Sequence, residues 1–235
     1  MYQEESIDDY KNESMIIKMN RTGILDNIQT LKMNPFQTEY FHESELRYFG
    51  FKSVGADVKV AKNCTIIGLQ NISIGDHVII DPYCSIIASG SGQLTLGSFI
   101  HIGAYCHLLA NEGIEIGDFS GLSQGVKIYS KTDDYSGNSL TNPTIPAKYK
   151  KVKSGKVRLG EHVIIGANSV ILPNVNLGDG VAVGALSLVA SSLSPWNLYF
   201  GNPLKRAAPR SQKLLISREE FLSDSRVKDK VDHPH

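Results

Sequence analysis

Aliphatic residues recur every six positions along most of this chain, and many are followed directly by glycine or another small residue. Val54-Gly55, Val60-Ala61 and Ile66 begin the series. Ile74-Gly75, Ile80-Asp81 and Ile86 continue it, followed by Leu96-Gly97, Ile102-Gly103 and Leu108. Ile116-Gly117, Leu122-Ser123 and Ile128 come next, then Leu159-Gly160, Ile165-Gly166 and Ile171, and last Leu177-Gly178, Val183-Gly184 and Val189. A period of six fits neither an amphipathic helix nor simple strand alternation. It fits a short strand and a turn, repeated, with three units closing one triangular coil of about eighteen residues. The aliphatic side chain then points inward onto its equivalent in the next coil, and the small residue lets the backbone turn. The chain is expected to be an all-β solenoid.

A second column supports that register. Four residues after each aliphatic position the side chain is small or β-branched, as at Val58, Val78, Ile100, Val126, Val163, Val175 and Val181. Cys64, Cys84 and Cys106 fall in the same column. A compact buried side chain suits that place better than a reactive thiol, which needs a basic neighbour. The cysteines have neither zinc-site spacing nor the look of a disulfide framework, which points to a reducing, cytoplasmic compartment.

The repeat breaks in informative places. Short extra segments fall at 88–93 and 110–113, and a long one runs from Tyr129 to Lys156. Insertions in repeat arrays tend to emerge on one face, often the binding face. The long loop has Tyr135, Tyr149, Pro143 and Pro146 and few glycines, so it reads as a defined arm that packs on a neighbour. The expected organisation is an N-terminal extension, 1–50, partly helical; a β-helix, 51–194, with the inserted loop 129–156; and a C-terminal segment, 195–235, with a helical cap over the open end and a disordered tail.

Composition excludes several classes. Lysine plus arginine equals aspartate plus glutamate at 24 each, without the basic surplus that nucleic-acid binding requires. No apolar run is long enough to span a membrane, and Met1–Tyr10 is too acidic and polar for a signal peptide.

With its hexapeptide units, the long loop after Ile128 and the exit segment Gly201-Asn202-Pro203-Leu204-Lys205, the chain resembles the hexapeptide-repeat acyltransferases. The similarity spans about residues 40–210. It leans to the galactoside and maltose O-acetyltransferase branch and to sugar acyltransferases of bacterial surface-polysaccharide pathways. The stretches at 45–55 and 129–146 look closest to the latter. The resemblance implies a left-handed parallel β-helix and a homotrimer with active sites between subunits. It implies acetyl-CoA as co-substrate, no metal, and a sugar or nucleotide-sugar acceptor. Its pantetheine arm would lie against the small residues Ala167 and Ala185, and its phosphates would meet Lys205 and Arg206.

Acyl transfer to a hydroxyl or amine calls for a base, most often histidine. In the galactoside branch a histidine lies near the start of the large loop; here Asp133 or Asp134 stands there instead. His77 and His162 share a repeat position expected to leave their rings outward and solvated. His101 and His107 each end a hexapeptide, which predicts corner positions on one coil, next to the coil that launches the loop. Either could be the base, oriented by Asp133 or Asp134. Glu112 and Tyr135 are candidates for contacts to the acceptor. The missing loop histidine tilts the reading toward an aminosugar, because a neutral amine is already nucleophilic. Two rivals remain: a non-catalytic solenoid used for binding or assembly, which would need neither Lys205 nor the loop, and a zinc carbonic anhydrase, which would need a third converging histidine.

Overall fold

The computed structural model describes residues 37–228. The start of the N-terminal extension and the last seven residues, the expected disordered tail, lie outside the described residues. The chain winds into a left-handed parallel β-helix with three flat faces, each a sheet of strands two to four residues long. The first face stacks Ser53–Val54, Ile72–Ile74, Leu94–Leu96, Ile114–Ile116, Val157–Leu159 and Asn176–Leu177. The second stacks Lys59–Ala61, Val78–Ile80, Ile100–Ile102, Gly121–Leu122, Ile164–Ile165, Ala182–Val183 and Asn197–Phe200. The third stacks Thr65–Ile67, Ser85–Ile87, His107–Leu109, Lys127–Tyr129, Val170–Ile171 and Leu188–Val189.

The six-residue period sets the pairing. On the second face the inward column runs Val60, Ile80, Ile102, Leu122, Ile165 and Val183, each the register partner of the next. On the third it runs Ile66, Ile86, Leu108, Ile128, Ile171 and Val189. Nearly all of these side chains are fully buried, and burial of each contributes about 1.5–3 kcal/mol. The cysteines occupy the expected inward column, and each thiol donates to a carbonyl of the next coil. Hydrogen bonding with Cys106, then burial, pushes the Cys84 thiol up to about 12, far from a reactive thiolate.

Antiparallel strands extend the second face at both ends. Tyr40–His42 pairs with Lys59–Ala61 at the start, and Lys205–Pro209 folds back on Asn197–Phe200 at the finish. The segment after 195 therefore continues the sheet before it turns into the helix Leu214–Lys228. That helix was expected over the open end of the solenoid. Its contacts lie along the side instead, on an aromatic ladder at the edge between the first and second faces. His77, Phe99, Phe119, His162 and Trp196 hold that edge in the left-handed region. Their rings stack in series: His77 on Phe99 at 4.7 Å, Phe99 on Phe119 at 4.7 Å, Phe119 on His162 at 5.2 Å. Gly180 fills the step between His162 and Trp196, where a Cβ would meet the indole at 2.3 Å. Phe221 of the helix sets its edge against Phe99 at 5.3 Å, and Arg218 donates to Nε2 of His162 at 3.3 Å.

This corrects the expectation that both histidines of that repeat position are solvated. His77 is half exposed and pairs with Asp57 at 3.1 Å, but His162 is only 6% exposed because the helix covers its coil. Burial, then the Arg218 guanidinium, holds the His162 imidazole below the usual histidine range. The ring is neutral in the fold and binds a proton more readily once unfolded. Its contribution is therefore complete above the unfolded value of 6.5 and is lost as the pH falls below it. Between about pH 7.5 and pH 5.5 the melting temperature is expected to fall less in His162→Phe, which keeps the stack, than in the parent. Equal falls, read by calorimetry, would remove His162 from the pH response.

Candidate active site

The sequence-predicted site residues fall in five places. His101 and His107 are not at corners of one coil. Each immediately precedes an inward aliphatic residue, and strand alternation turns it outward on a flat face. His101 is central in Ile100–Ile102 on the second face; His107 opens His107–Leu109 on the third.

His101 is held by a partner the sequence analysis missed. Its Nε2 lies 2.8 Å from Oδ2 of Asp81, which sits in the small-residue slot after Ile80. The Tyr40 hydroxyl donates to the other Asp81 oxygen at 3.3 Å. The next residue in the outward row is Gly121, the register partner of His101, where an added Cβ would meet nothing nearer than the His101 carbonyl oxygen at 4.0 Å. An open groove of about 580 Å³ runs there, bounded by His101, Phe119, His162, Ile164, Arg218 and Phe221. Asp81 itself could be singled out, since the other residues in this slot of the second face are alanine, glycine and serine.

On the third face His107 pairs in register with Lys127, and its ring lies 5.4 Å from that of Tyr129. Burial, then Lys127, pushes its imidazole below the usual range, so it is neutral near pH 7. Lys127 Nζ donates to the Gly125 carbonyl at 2.9 Å.

The insertions all leave from the edge between the third and first faces. There Glu112 faces Lys131 at 3.8 Å, and its amide donates to Ser130 Oγ at 2.9 Å. Asn111 beside it keeps a buried side-chain oxygen with no hydrogen-bond partner. The long arm is ordered as a hairpin, Lys131–Asp133 against Val152–Ser154. Asp133 accepts the Asn142 amide at 3.2 Å. Asp134 is consumed within the arm: it accepts from the Ser136 amide at 2.9 Å and the Ser139 hydroxyl at 3.2 Å. The Ser136 contacts, then Ser139, hold its carboxyl below the usual range. Within one chain neither loop carboxylate bonds to His101 or His107; the partner of His101 is Asp81. Tyr135 projects from the arm, 88% exposed.

Ala167 and Ala185 lie on the edge between the second and third faces, where the Leu186 amide donates to the Ala167 carbonyl at 2.9 Å. Neither has a side chain beyond Cβ, so the backbone there is open to a long thin ligand. Lys205 and Arg206 are exposed on the returning strand, and the Arg206 guanidinium bonds to the Asn197 side chain. Among the described residues no group of three or more histidine, cysteine, aspartate or glutamate side chains is placed to hold a metal. No helix of the described residues is long and apolar enough to cross a membrane.

Residues 156–191 match the bacterial transferase hexapeptide family (six repeats). A dTDP-4-amino-4,6-dideoxy-D-glucose acyltransferase of Escherichia coli is 40% identical over 182 residues, covering 77% of this chain and 94% of that one. The chain belongs to the hexapeptide-repeat sugar acyltransferases. A second sequence relative, WbbJ of Escherichia coli K12, assigned to lipopolysaccharide biosynthesis as an O-acetyltransferase, is 27% identical over 61% of this chain and 78% of that one. Among solved structures, the N-acyltransferase AntD of Bacillus cereus is 44% identical over 80% of this chain and 98% of that one, with a TM-score of 0.76. That crystal holds dTDP-4-amino-4,6-dideoxyglucose and coenzyme A; another of AntD holds dTDP and 3-hydroxybutyryl-CoA. The present chain is thus a sugar acyltransferase. A solenoid serving only as a scaffold is set aside by this finding.

Proposed function

We propose that this enzyme acylates the amine of a dTDP-linked 4-amino-4,6-dideoxyhexose, working in the cytoplasm as a homotrimer with its sites between subunits. The observation that carries the reading is the 44% identity to AntD across nearly all of that chain, where this sugar and coenzyme A are bound together. In the reaction the amine lone pair attacks the thioester carbonyl and a C–N bond forms. The tetrahedral intermediate then collapses, the C–S bond breaks, and the amine proton leaves with a base or with the departing thiolate.

AntD has been crystallised as serine and aspartate mutants ten positions apart. Two serine–aspartate pairs here have that spacing among the described residues, Ser123–Asp133 and Ser169–Asp179. Ser169 is fully buried and bonded to the Gly184 carbonyl, and Asp179 accepts the Glu161 amide. That leaves Ser123 and Asp133 as the accessible pair. Ser123 lies on the edge between the second and third faces, and Asp133 on the arm from the opposite edge of the third face. Starting from opposite edges of the third face, the two are proposed to meet across a subunit interface, one from each of two chains. Asp133 is the base in this reading, Ser123 a polar contact, and Glu112 and Tyr135 the contacts to sugar hydroxyls. Coenzyme A runs past Ala167 and Ala185, with its phosphates at Lys205 and Arg206.

His101 supports a second reading, because Asp81 at 2.8 Å fixes the tautomer and orientation of a ring beside an open groove. The two are separated by thiol release with acetyl-CoA. The 4-amino sugar nucleotide is expected to be acylated and dTDP-glucose not, with activity lost in Asp133→Ala and kept in His101→Gln. Loss in His101→Gln alone would transfer the role of base to His101. A panel without any turnover of the aminosugar would overturn the proposal. By sedimentation the protein is expected as a trimer, and a monomer at working concentration would contradict a shared site.

A further inference from the structure

The edge between the second and third faces carries one column that packing does not explain. Successive coils are tied there by amides: Tyr105 to the Pro82 carbonyl at 3.1 Å, Gly125 to Ala104 at 2.9 Å, Asn168 to Gln124 at 2.9 Å. Tyr83, Tyr105, Gly125 and Asn168 therefore stand above one another, all in the left-handed region. That conformation suits glycine and asparagine and strains a tyrosine. Yet Tyr83 and Tyr105 are 56% and 62% exposed, and their rings stack on each other at 5.0 Å and 15°. On the opposite edge the equivalent Phe99 and Phe119 are covered by Phe221. No described residue covers the tyrosines.

We propose that Tyr83 and Tyr105 form the stacking platform for the pyrimidine base of a nucleoside diphosphate, the carrier of the acceptor sugar. This rests on the reading above that the acceptor is nucleotide-linked. Three neighbours fit the ligand. Gly125 itself puts no side chain over the far face of the Tyr105 ring. The Asn168 carboxamide leans over Gly125, its oxygen 2.2 Å from where a Cβ would be. A base lying on Tyr105 would then meet an amide donor and acceptor in its own plane, the complement of the imide edge of thymine or uracil. Lys127, bonded to the Gly125 carbonyl, puts an ammonium in the same layer, with His107 one coil before it, where a diphosphate would lie. The arrangement also orders the substrates along one edge. The nucleotide occupies the early coils and coenzyme A the later ones, past Ala167 and Ala185, so sugar and thioester meet between them.

The test is calorimetric titration with dTDP and, separately, with coenzyme A. Stacking on an aromatic ring is lost in Tyr105→Leu and kept in Tyr105→Phe. The leucine variant is expected to bind dTDP roughly five- to a hundredfold more weakly, with coenzyme A affinity unchanged and the phenylalanine variant close to the parent. Tyr105→Asn, a residue at ease in this backbone conformation, is expected to show the same loss without lowering the melting temperature. If the parent binds dTDP and both Tyr105→Leu and Tyr105→Asn bind it equally well, the platform is overturned and the nucleotide-linked acceptor stands. If the parent binds no dTDP, the acceptor reading falls and the platform with it.

Discussion

Asp133→Ala is expected to lower kcat by about two to three orders of magnitude while coenzyme A binds as before. The loss is expected in the chemical step, because Asp133 is the proposed base and the residues proposed to hold the coenzyme are others, Ala167, Ala185, Lys205 and Arg206. A carboxylate is a weak base, but the amine asks little of it: the proton becomes strongly acidic only as the C–N bond forms. Asp133→Asn tests the same point without altering the hairpin, since an amide oxygen still accepts from the Asn142 backbone, as the Asp133 carboxylate does at 3.2 Å. Both substitutions should act on kcat far more than on KM for acetyl-CoA. The shared site adds a sharper expectation. Asp133→Ala trimers are expected to be inactive, and so are Ala185→Trp trimers, in which the indole would block the proposed coenzyme path. Unfolded together and refolded as mixed trimers, they should recover activity, because some sites then combine an intact arm with an intact coenzyme edge. Mixed trimers no more active than their parents would mean that each site is built from a single chain.

Leu108→Ala is expected to destabilise the fold by about 2–5 kcal/mol. Leu108 is fully buried on the third face between Ile86 and Ile128, so its inward column is packed above and below. Strands tied to both neighbours by hydrogen bonds cannot move together to fill the space, and a cavity remains. For a chain of this length the melting temperature should drop by roughly 5–20 °C. Leu186→Ala on the exposed edge, 72% exposed, should change it little. Similar shifts for the two would mean that the inward column does not hold the solenoid together.

The repeat was legible because each aliphatic residue answers to one stacking neighbour, and a period of six admits a single register. The same rule reached the inward cysteines and the edge from which the arm departs. The histidines show where it stops. Counting units puts His101 and His107 at corners, although each precedes an inward residue and so must face outward within a strand. His162 and His77 occupy the same repeat position, and nothing local separates them; a helix more than fifty residues later in the chain buries one and leaves the other half exposed. Asp81 stands out in its slot by residue type, but its pairing is not written in the repeat. Its partner His101 lies 20 residues away on the next coil, a distance at which the pattern specifies stacking but not which outward side chains meet. The arm carboxylates were found by type and place, yet only the structure separates Asp134, spent on its own turn, from Asp133.

The proposed reaction leaves the acyl group on nitrogen. Purified enzyme, acetyl-CoA and dTDP-4-amino-4,6-dideoxyglucose would be incubated together and the product analysed by mass spectrometry before and after hydroxylamine treatment. The expected product is a singly acetylated nucleotide sugar whose added mass survives hydroxylamine, as an amide does. An added mass that hydroxylamine removes would be an ester on a sugar hydroxyl, and the N-acyltransferase assignment would be wrong.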